Sequence, residues 1–342
     1  MTGVVRRHIL RVTMSSDDLK SRIEALNKRP LQNVAPAEQP AELDGLRRKL
    51  RKQAEAKSRP AAEPAATRGA SSEPVVYSRT TPRAYARAYA GVECPFDGDK
   101  VVLEEVINGV TSTAPVGPGY YHIEQYAVYV DECALEVHAD FLPVIGHPDG
   151  TAVERICALC QEERLAPKEM MFMDIETTGL SSTPVFLIGT MECDEEGFLF
   201  RQYFARDYSE ETSILSAFGQ RLADARMLVT FNGKSFDMPY LENRAVACAV
   251  KLPRPKHHLD LLHEARRYYG RSTPNHKLQT LEQIVCGRCR EDDIPGAQIP
   301  AAYHEFVRTN DARKIGLILQ HNLYDLLTMA DLMARMWGSK AT

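Results

Sequence analysis

Hydrophobic and polar positions divide the chain into unlike stretches. Over residues 1–91, apolar residues come in short groups separated by Ala, Pro, Glu, Arg and Ser. Two helical periods stand out there. One starts at the capping pair Ser15/Ser16 and runs to about residue 26; the other covers residues 41–57, with Leu43, Leu46 and Leu50 on one side. The intervening sequence, including RPAAEPAATRGASSEP, lacks the apolar content to build a core, so residues 1–91 read as a disordered basic tail with short helices. Residues 92–165 read as a small α+β segment: a short helix at 101–107, strands at 110–115 and 120–130 joined through VGPG, and a helix at 151–165. From 166 to 342 the pattern alternates. Strands are predicted at 170–175, 185–192, 198–204 and 227–231, helices at 210–225 and 235–249, a short strand at 258–261, and a mainly helical remainder closing with 313–337. This order predicts an α/β fold, a mixed sheet flanked by helices, and it contains no glycine-rich phosphate loop.

The first of those strands changes the picture. Its apolar run ends in Asp174-Ile175-Glu176, and residues i and i+2 of a strand share a face, so the two carboxylates project together while Ile175 turns to the core. An isolated pair of this kind is ordinarily a strand end reaching solvent. Two further pieces argue otherwise. In Phe231-Asn232-Gly233-Lys234-Ser235-Phe236-Asp237 a strand end and a glycine turn lead to Asp237 in the first turn of a helix, and in the last helix His321 and Asp325 stand at i and i+4, on one face. Each alone has an unremarkable structural reading. Together they supply four carboxylates, Asp174, Glu176, Asp237 and Asp325, and a histidine that titrates near neutral pH. Hard divalent cations take oxygen ligands, and two of them about 4 Å apart activate a water and stabilise the departing oxygen of a phosphodiester. His321 is the candidate to accept the proton of that water.

Charge supports a nucleic-acid substrate. The net charge is only −4, but residues 1–91 hold 18 Lys+Arg against 9 Asp+Glu, residues 92–198 hold 4 against 21, and residues 199–277 hold 13 against 8. An acidic block for metal between basic stretches for phosphate suits an enzyme acting on nucleic acid. Lys234, Arg244, Arg254 and Arg267 are among the candidates for the phosphate track. The eight cysteines are scattered, which fits a reducing, cytoplasmic setting. The pairs Cys157/Cys160 and Cys286/Cys289 invite a zinc site, yet the first falls in a helical stretch, and small buried thiols are the simpler expectation. No apolar run reaches the length of a membrane span, and the basic first residues lack the apolar core and cleavage site of a signal peptide.

Three strands in a meander followed by alternating helices and strands is the order expected of a ribonuclease-H-like sheet. DIETTGL (174–180), FNGKSFD (231–237) and HNLYD (321–325) resemble the three motifs of the DEDD 3′–5′ exonucleases of that superfamily. A finer resemblance, over residues 100–338, is to the YprB-type ribonuclease-H-like proteins, through HLDLLHEARR (258–267), REDDIPGAQIP (290–300) and the HN-xx-D helix. The resemblance implies a two-metal 3′–5′ exonuclease on single-stranded DNA or RNA, with two Mg²⁺ (or Mn²⁺) ions on Asp174, Glu176, Asp237 and Asp325. It implies catalysis by these four and His321, and contacts to the terminal nucleotide from Thr177, Thr178, Leu180, Asn232 and Lys234. One departure stands out. Histidine-type enzymes of the family space His and Asp five apart and tyrosine-type enzymes space Tyr and Asp four apart, whereas His321 precedes Asp325 by four. A structure-selective endonuclease and a non-catalytic nucleic-acid-binding protein are the competing readings.

Overall fold

The computed structural model describes residues 100–338 apart from 132, 148–149, 161–164, 181, 195 and 291–292. The helices expected at 15–26 and 41–57 lie outside these residues. The elements are α1 (Leu103–Val106), β1 (Val110–Ser112), β2 (Tyr120–Tyr126), α2 (Cys133–Gly146), α3 (Thr151–Cys160), β3 (Met170–Thr177), β4 (Val185–Cys193), β5 (Phe198–Phe204), α4 (Glu211–Asp224), β6 (Met227–Thr230), α5 (Asp237–Ala247), β7 (His257–Asp260), α6 (Leu261–Tyr269), α7 (Leu278–Leu281), α8 (Ile299–Thr309) and α9 (Arg313–Gly338).

All seven strands form one mixed sheet in the order β1-β2-β5-β4-β3-β6-β7. The pairings from β1 to β3 are antiparallel, and β6 and β7 add to β3 in parallel. The expected α/β architecture with a mixed sheet and flanking helices is thus what the chain adopts. Strands β1 and β2 lie in the 92–165 segment, yet they hydrogen-bond onto β5 and extend the same sheet, with Tyr121 opposite Phe204 and Tyr126 opposite Leu199. The strand predicted over 120–130 stops at Tyr126, where the chain turns through a short 3₁₀ segment that buries Ala127.

Alternation along β3 divides its side chains between two apolar layers. Met171, Met173 and Ile175 enter the layer made with α4, α5 and α8, while Met170 and Phe172 enter the layer made with α2, α6 and most of α9. Asp174 and Glu176 therefore continue the Met170/Phe172 face at the point where apolar residues run out. Helix α9 passes from one layer to the other, giving Ile315, Ile318 and Leu319 to the first and Leu323 to Trp337 to the second. His321 and Asn322 fall at that crossover, and Asp325 lies one turn beyond His321. Among the described residues no helix is long and apolar enough to cross a membrane, and the described cysteines are free thiols.

Candidate active site

The site is built where β3, the β6–α5 turn and α9 meet. At the end of β3, Asp174 and Glu176 are half-buried, and Ile175 is 6% exposed. The DIETTGL turn that follows is pinned by its own backbone: Thr178 donates its N–H and its hydroxyl to the Pro184 carbonyl at 3.0 Å each, and the Thr177 hydroxyl donates to Gly179 O at 2.8 Å. Leu180 at its tip is 88% exposed, an apolar side chain standing in solvent beside the carboxylates.

After β6 the chain reverses tightly. Asn232 takes a left-handed φ of 69°, and a Cβ on Gly233 would overlap the Thr230 side chain, so glycine is required there. The turn is held by Asp260 at the end of β7, which is 2% exposed. Its carboxylate accepts from Asn232 N at 2.8 Å, Lys234 N at 3.1 Å and Leu262 N at 3.0 Å, fixing the turn and capping α6 together. Asn232 and Lys234 are thereby left with exposed side chains, and Asp237, first residue of α5, points inward at 6% exposure.

From α9 come His321, Asn322 and Asp325. Asn322 is fully buried; its amide nitrogen donates to Asp174 Oδ2 at 3.0 Å and to Asp174 O at 3.2 Å, while its carbonyl accepts from Gln202 Nε2 at 2.9 Å. Gly189 on β4 faces the Asn322 carboxamide so closely that a Cβ there would overlap it. Asp325 takes the guanidinium of Arg290 on Oδ1 at 2.5 Å and lies 3.6 Å from His321 Nε2 through Oδ2. Tyr324 lies under Arg290, whose guanidinium carbon is 5.5 Å from the ring centroid, and its hydroxyl accepts from Gln320 at 3.0 Å.

Electrostatics ties these carboxylates into one cluster. Burial, with the charges of Asp325, Glu176 and Asp237, pushes Asp174 well above the ordinary carboxylate range. Burial pushes Glu176 up to about 8, against the pull of His321 and with the charges of Asp325 and Asp237 adding to it. Asp237 rises to about 7, chiefly by burial, although backbone hydrogen bonds at Asp237 and Ile175 oppose the rise. His321 is raised: burial resists its protonation, but the hydrogen bond it donates to Asp293 and the charges of Asp325 and Glu176 outweigh it.

Like charges buried together call for a cation. Among the described residues no three Asp, Glu, His or Cys side chains already converge as a metal cage. Arg290 engages one Asp325 oxygen and Asn322 engages one of Asp174. The donor set itself, three carboxylates raised by burial and by neighbouring charge with Asp325 beside them, has the chemistry of a hard divalent cation site, since a cation offsets the same cost of burying like charges together.

Residues 171–337 match the RNase_H_2 model of the RNase_H superfamily. They form a ribonuclease-H-like domain. The chain is 31% identical over 172 residues to the uncharacterized protein YprB of Bacillus subtilis (strain 168), an alignment covering 49% of this chain and 41% of that protein. The chain thus spans less than half the length of that relative. A solved structure of the family B DNA polymerase from the hyperthermophilic archaeon Pyrobaculum calidifontis aligns with a TM-score of 0.40 and 18% identity over 50% of this chain and 25% of that one. The ribonuclease-H-like superfamily is one of nucleases, and its nucleases generally use divalent metals.

Several residues had no site role assigned from the sequence pattern, although Asp260, after a short strand, reads as a helix cap and does cap α6. Asn322, Gln202 and Asp260 carry the hydrogen bonds that orient the site, and Arg290 and Asp293 bind Asp325 and His321. Three of the basic candidates prove to be paired within the domain: Arg244 with the buried Glu211 at 2.6 Å, Arg254 with Glu242 at 3.2 Å and Arg267 with Glu264 at 2.9 Å. Arg244 in particular is engaged by a carboxylate 4% exposed, which removes it from a phosphate track.

Proposed function

We propose that this chain is a metal-dependent 3′–5′ exonuclease hydrolysing single-stranded DNA or RNA. The observation that carries the reading is the cluster of Asp174, Glu176 and Asp237 with Asp325, drawn from three separate elements, in which burial and neighbouring negative charge raise the first three. Such a cluster costs stability, and catalysis through divalent cations gives it a purpose. Asp174, Glu176, Asp237 and Asp325 would hold two Mg²⁺ or Mn²⁺ ions, which supply charge for the attacking and departing oxygens of the phosphodiester.

The chain's own residues do the rest. Asn322 keeps one Asp174 oxygen fixed and leaves the other for a ligand. His321, with Nε2 toward the site, takes the proton of the attacking water. The exposed Leu180, next to Thr177 and Thr178 in the chain, would offer an apolar edge for a terminal base, and the exposed side chains of Asn232 and Lys234 would be available to sugar and phosphate. An end-binding edge of this kind supports exonuclease over endonuclease action.

The test is digestion of labelled oligonucleotides, DNA and RNA in parallel, with free or blocked 3′ ends. A ladder that needs a free 3′ end is expected in Mg²⁺ or Mn²⁺, and Asp174→Asn should abolish it while the protein stays folded. Internal cuts would mean an endonuclease, retardation without cleavage a binding protein, and undiminished turnover of Asp174→Asn would remove the site as drawn.

A further inference from the structure

The segment joining α7 to α8 sends two side chains onto α9. Arg290, whose side chain is 6% exposed, donates Nη2 to Asp325 Oδ1 at 2.5 Å, Nε to Glu282 Oε2 at 2.8 Å and Nη1 to Asp293 Oδ2 at 3.4 Å. Glu282 is itself held by the Thr328 hydroxyl at 3.1 Å, so the guanidinium is locked from behind by the same helix it contacts in front. Asp293 in turn lies against His321: its two oxygens stand 2.8 and 3.0 Å from Nδ1. Asp325, Arg290, Asp293 and His321 thus close a ring in which acid and base alternate, completed by the 3.6 Å approach of His321 Nε2 to Asp325 Oδ2.

An ionised carboxylate only accepts hydrogen bonds, so the nitrogen beside Asp293 must carry the proton. The lone pair of neutral His321 is then on Nε2, the nitrogen turned toward Asp325. Without that contact the neutral ring is free to move its proton to Nε2 or to flip about χ2, and either change takes the lone pair away from the carboxylates. We infer that Asp293 is a positioning residue, setting the tautomer and orientation in which His321 accepts a proton, with Arg290 holding Asp293 and Asp325 in register. This inference rests on the exonuclease reading for its purpose, though not for its geometry. It also bears on the four-residue spacing of His321 and Asp325. At that spacing a second carboxylate, Asp293, fixes which edge of the ring faces Asp325.

The alternative is that Asp293 only pins its segment to α9, and the two are separable. Turnover and KM on a labelled oligonucleotide would be measured for the wild type, Asp293→Ala, His321→Gln and the double variant, with Asp293→Asn as the isosteric form should the alanine variant fold poorly. Imidazole ¹⁵N resonances of the full chain, labelled at histidine, would be recorded in parallel in Mg²⁺, with His321 assigned by its loss in His321→Gln. Expected is a roughly 10- to 100-fold fall in kcat for Asp293→Ala with KM little changed. No further fall should appear in the His321→Gln background. The Nδ1–H tautomer of His321 in the wild type should give way to a mixture in the variant. Equal losses in both backgrounds, or a wild-type His321 protonated on Nε2, would overturn the inference. If no oligonucleotide is cut by the wild type, the exonuclease reading fails and the resonance comparison decides the role of Asp293 alone.

Discussion

The raised carboxylates make the metal-free domain lose stability as pH rises, and one substitution should remove a known share of that loss. Asp237 titrates near 7 in the folded chain against an ordinary carboxylate value of 3.8, because it is buried and faces Asp260 and Asp325. Between those values the folded state binds a proton that the unfolded state has released, so stability falls as pH increases through the interval and levels off above about pH 7. Each pH unit within it is worth about 1.4 kcal/mol, and from pH 5 to 8 the folded group gives up its advantage over roughly two units, or about 2–3 kcal/mol. Glu176, raised to about 8, carries the same trend beyond pH 7. Asp237→Asn cannot ionise, so it should be more stable than the wild type in EDTA, by a margin that widens by about 2–3 kcal/mol from pH 5 to 8. For a body of this size that is a Tm difference growing by roughly 5–10 °C. The assay is thermal unfolding at pH 5, 6, 7 and 8, for both proteins, in EDTA and in Mn²⁺. Saturating Mn²⁺ should flatten the wild-type slope and raise the wild type more than the variant. Parallel pH curves for the two proteins in EDTA would refute the argument, since they would mean that Asp237 carries no unusual proton.

Two other perturbations probe neighbouring parts of the chain. Gly189→Ala places a methyl group into the Asn322 carboxamide, and it should cost roughly 1–3 kcal/mol by urea unfolding and depress turnover by loosening Asp174; a variant with wild-type stability and rate would show that Asn322 is free to move. Deleting residues 1–91, which carry 18 Lys+Arg against 9 Asp+Glu, should leave turnover on short oligonucleotides intact and weaken binding of long ones, with the difference largest at low salt; equal affinities at 50 mM salt would mean that this stretch does not touch substrate.

The strands of this domain were legible because each is a short apolar run bounded by turn residues. The expected strands at 170–175, 185–192, 198–204 and 227–231 lie within two residues of β3, β4, β5 and β6 at every boundary, and the helix expected at 313–337 is α9, Arg313–Gly338. Helix α2 was not foreseen. Its Val137, Phe141 and Ile145 have helical spacing, but Pro143 interrupts the run and masks the period. The carboxylate cluster was legible because carboxylates at fixed spacing on a strand or a helix declare their shared face. Their partners were not. Asn322 reaches Asp174 across 148 positions and Gln202 reaches Asn322 across 120. Asp260 meets the turn after β6 from 28 residues away and Arg290 meets Asp325 from 35. Nothing local in the sequence marks such pairs; the resemblance singled out the segments that hold Asp260, Arg290, Asp293 and Asn322, but not whom they meet.

The division between legible ligands and hidden partners follows from what the site must do when no cation is bound. Four carboxylates near one another repel, and a site built from them alone would open or keep its protons. Three of the four, Asp174, Asp237 and Asp325, are restrained from behind by a group that does not occupy the whole carboxylate edge. Asn322 is neutral and takes a single oxygen of Asp174; backbone amides at Asp237 and Ile175 steady Asp237; Arg290 takes one oxygen of Asp325 and leaves the other facing His321. The restraint on Asp325 differs in kind because it is charged. A guanidinium beside a ligand lowers the negative potential that draws a divalent cation in, so a domain arranged this way exchanges some cation affinity for a site that stays assembled when empty. Under the proposed two-cation reading that exchange suits cations arriving with a polyanionic substrate, because the phosphates would restore the negative charge that Arg290 offsets.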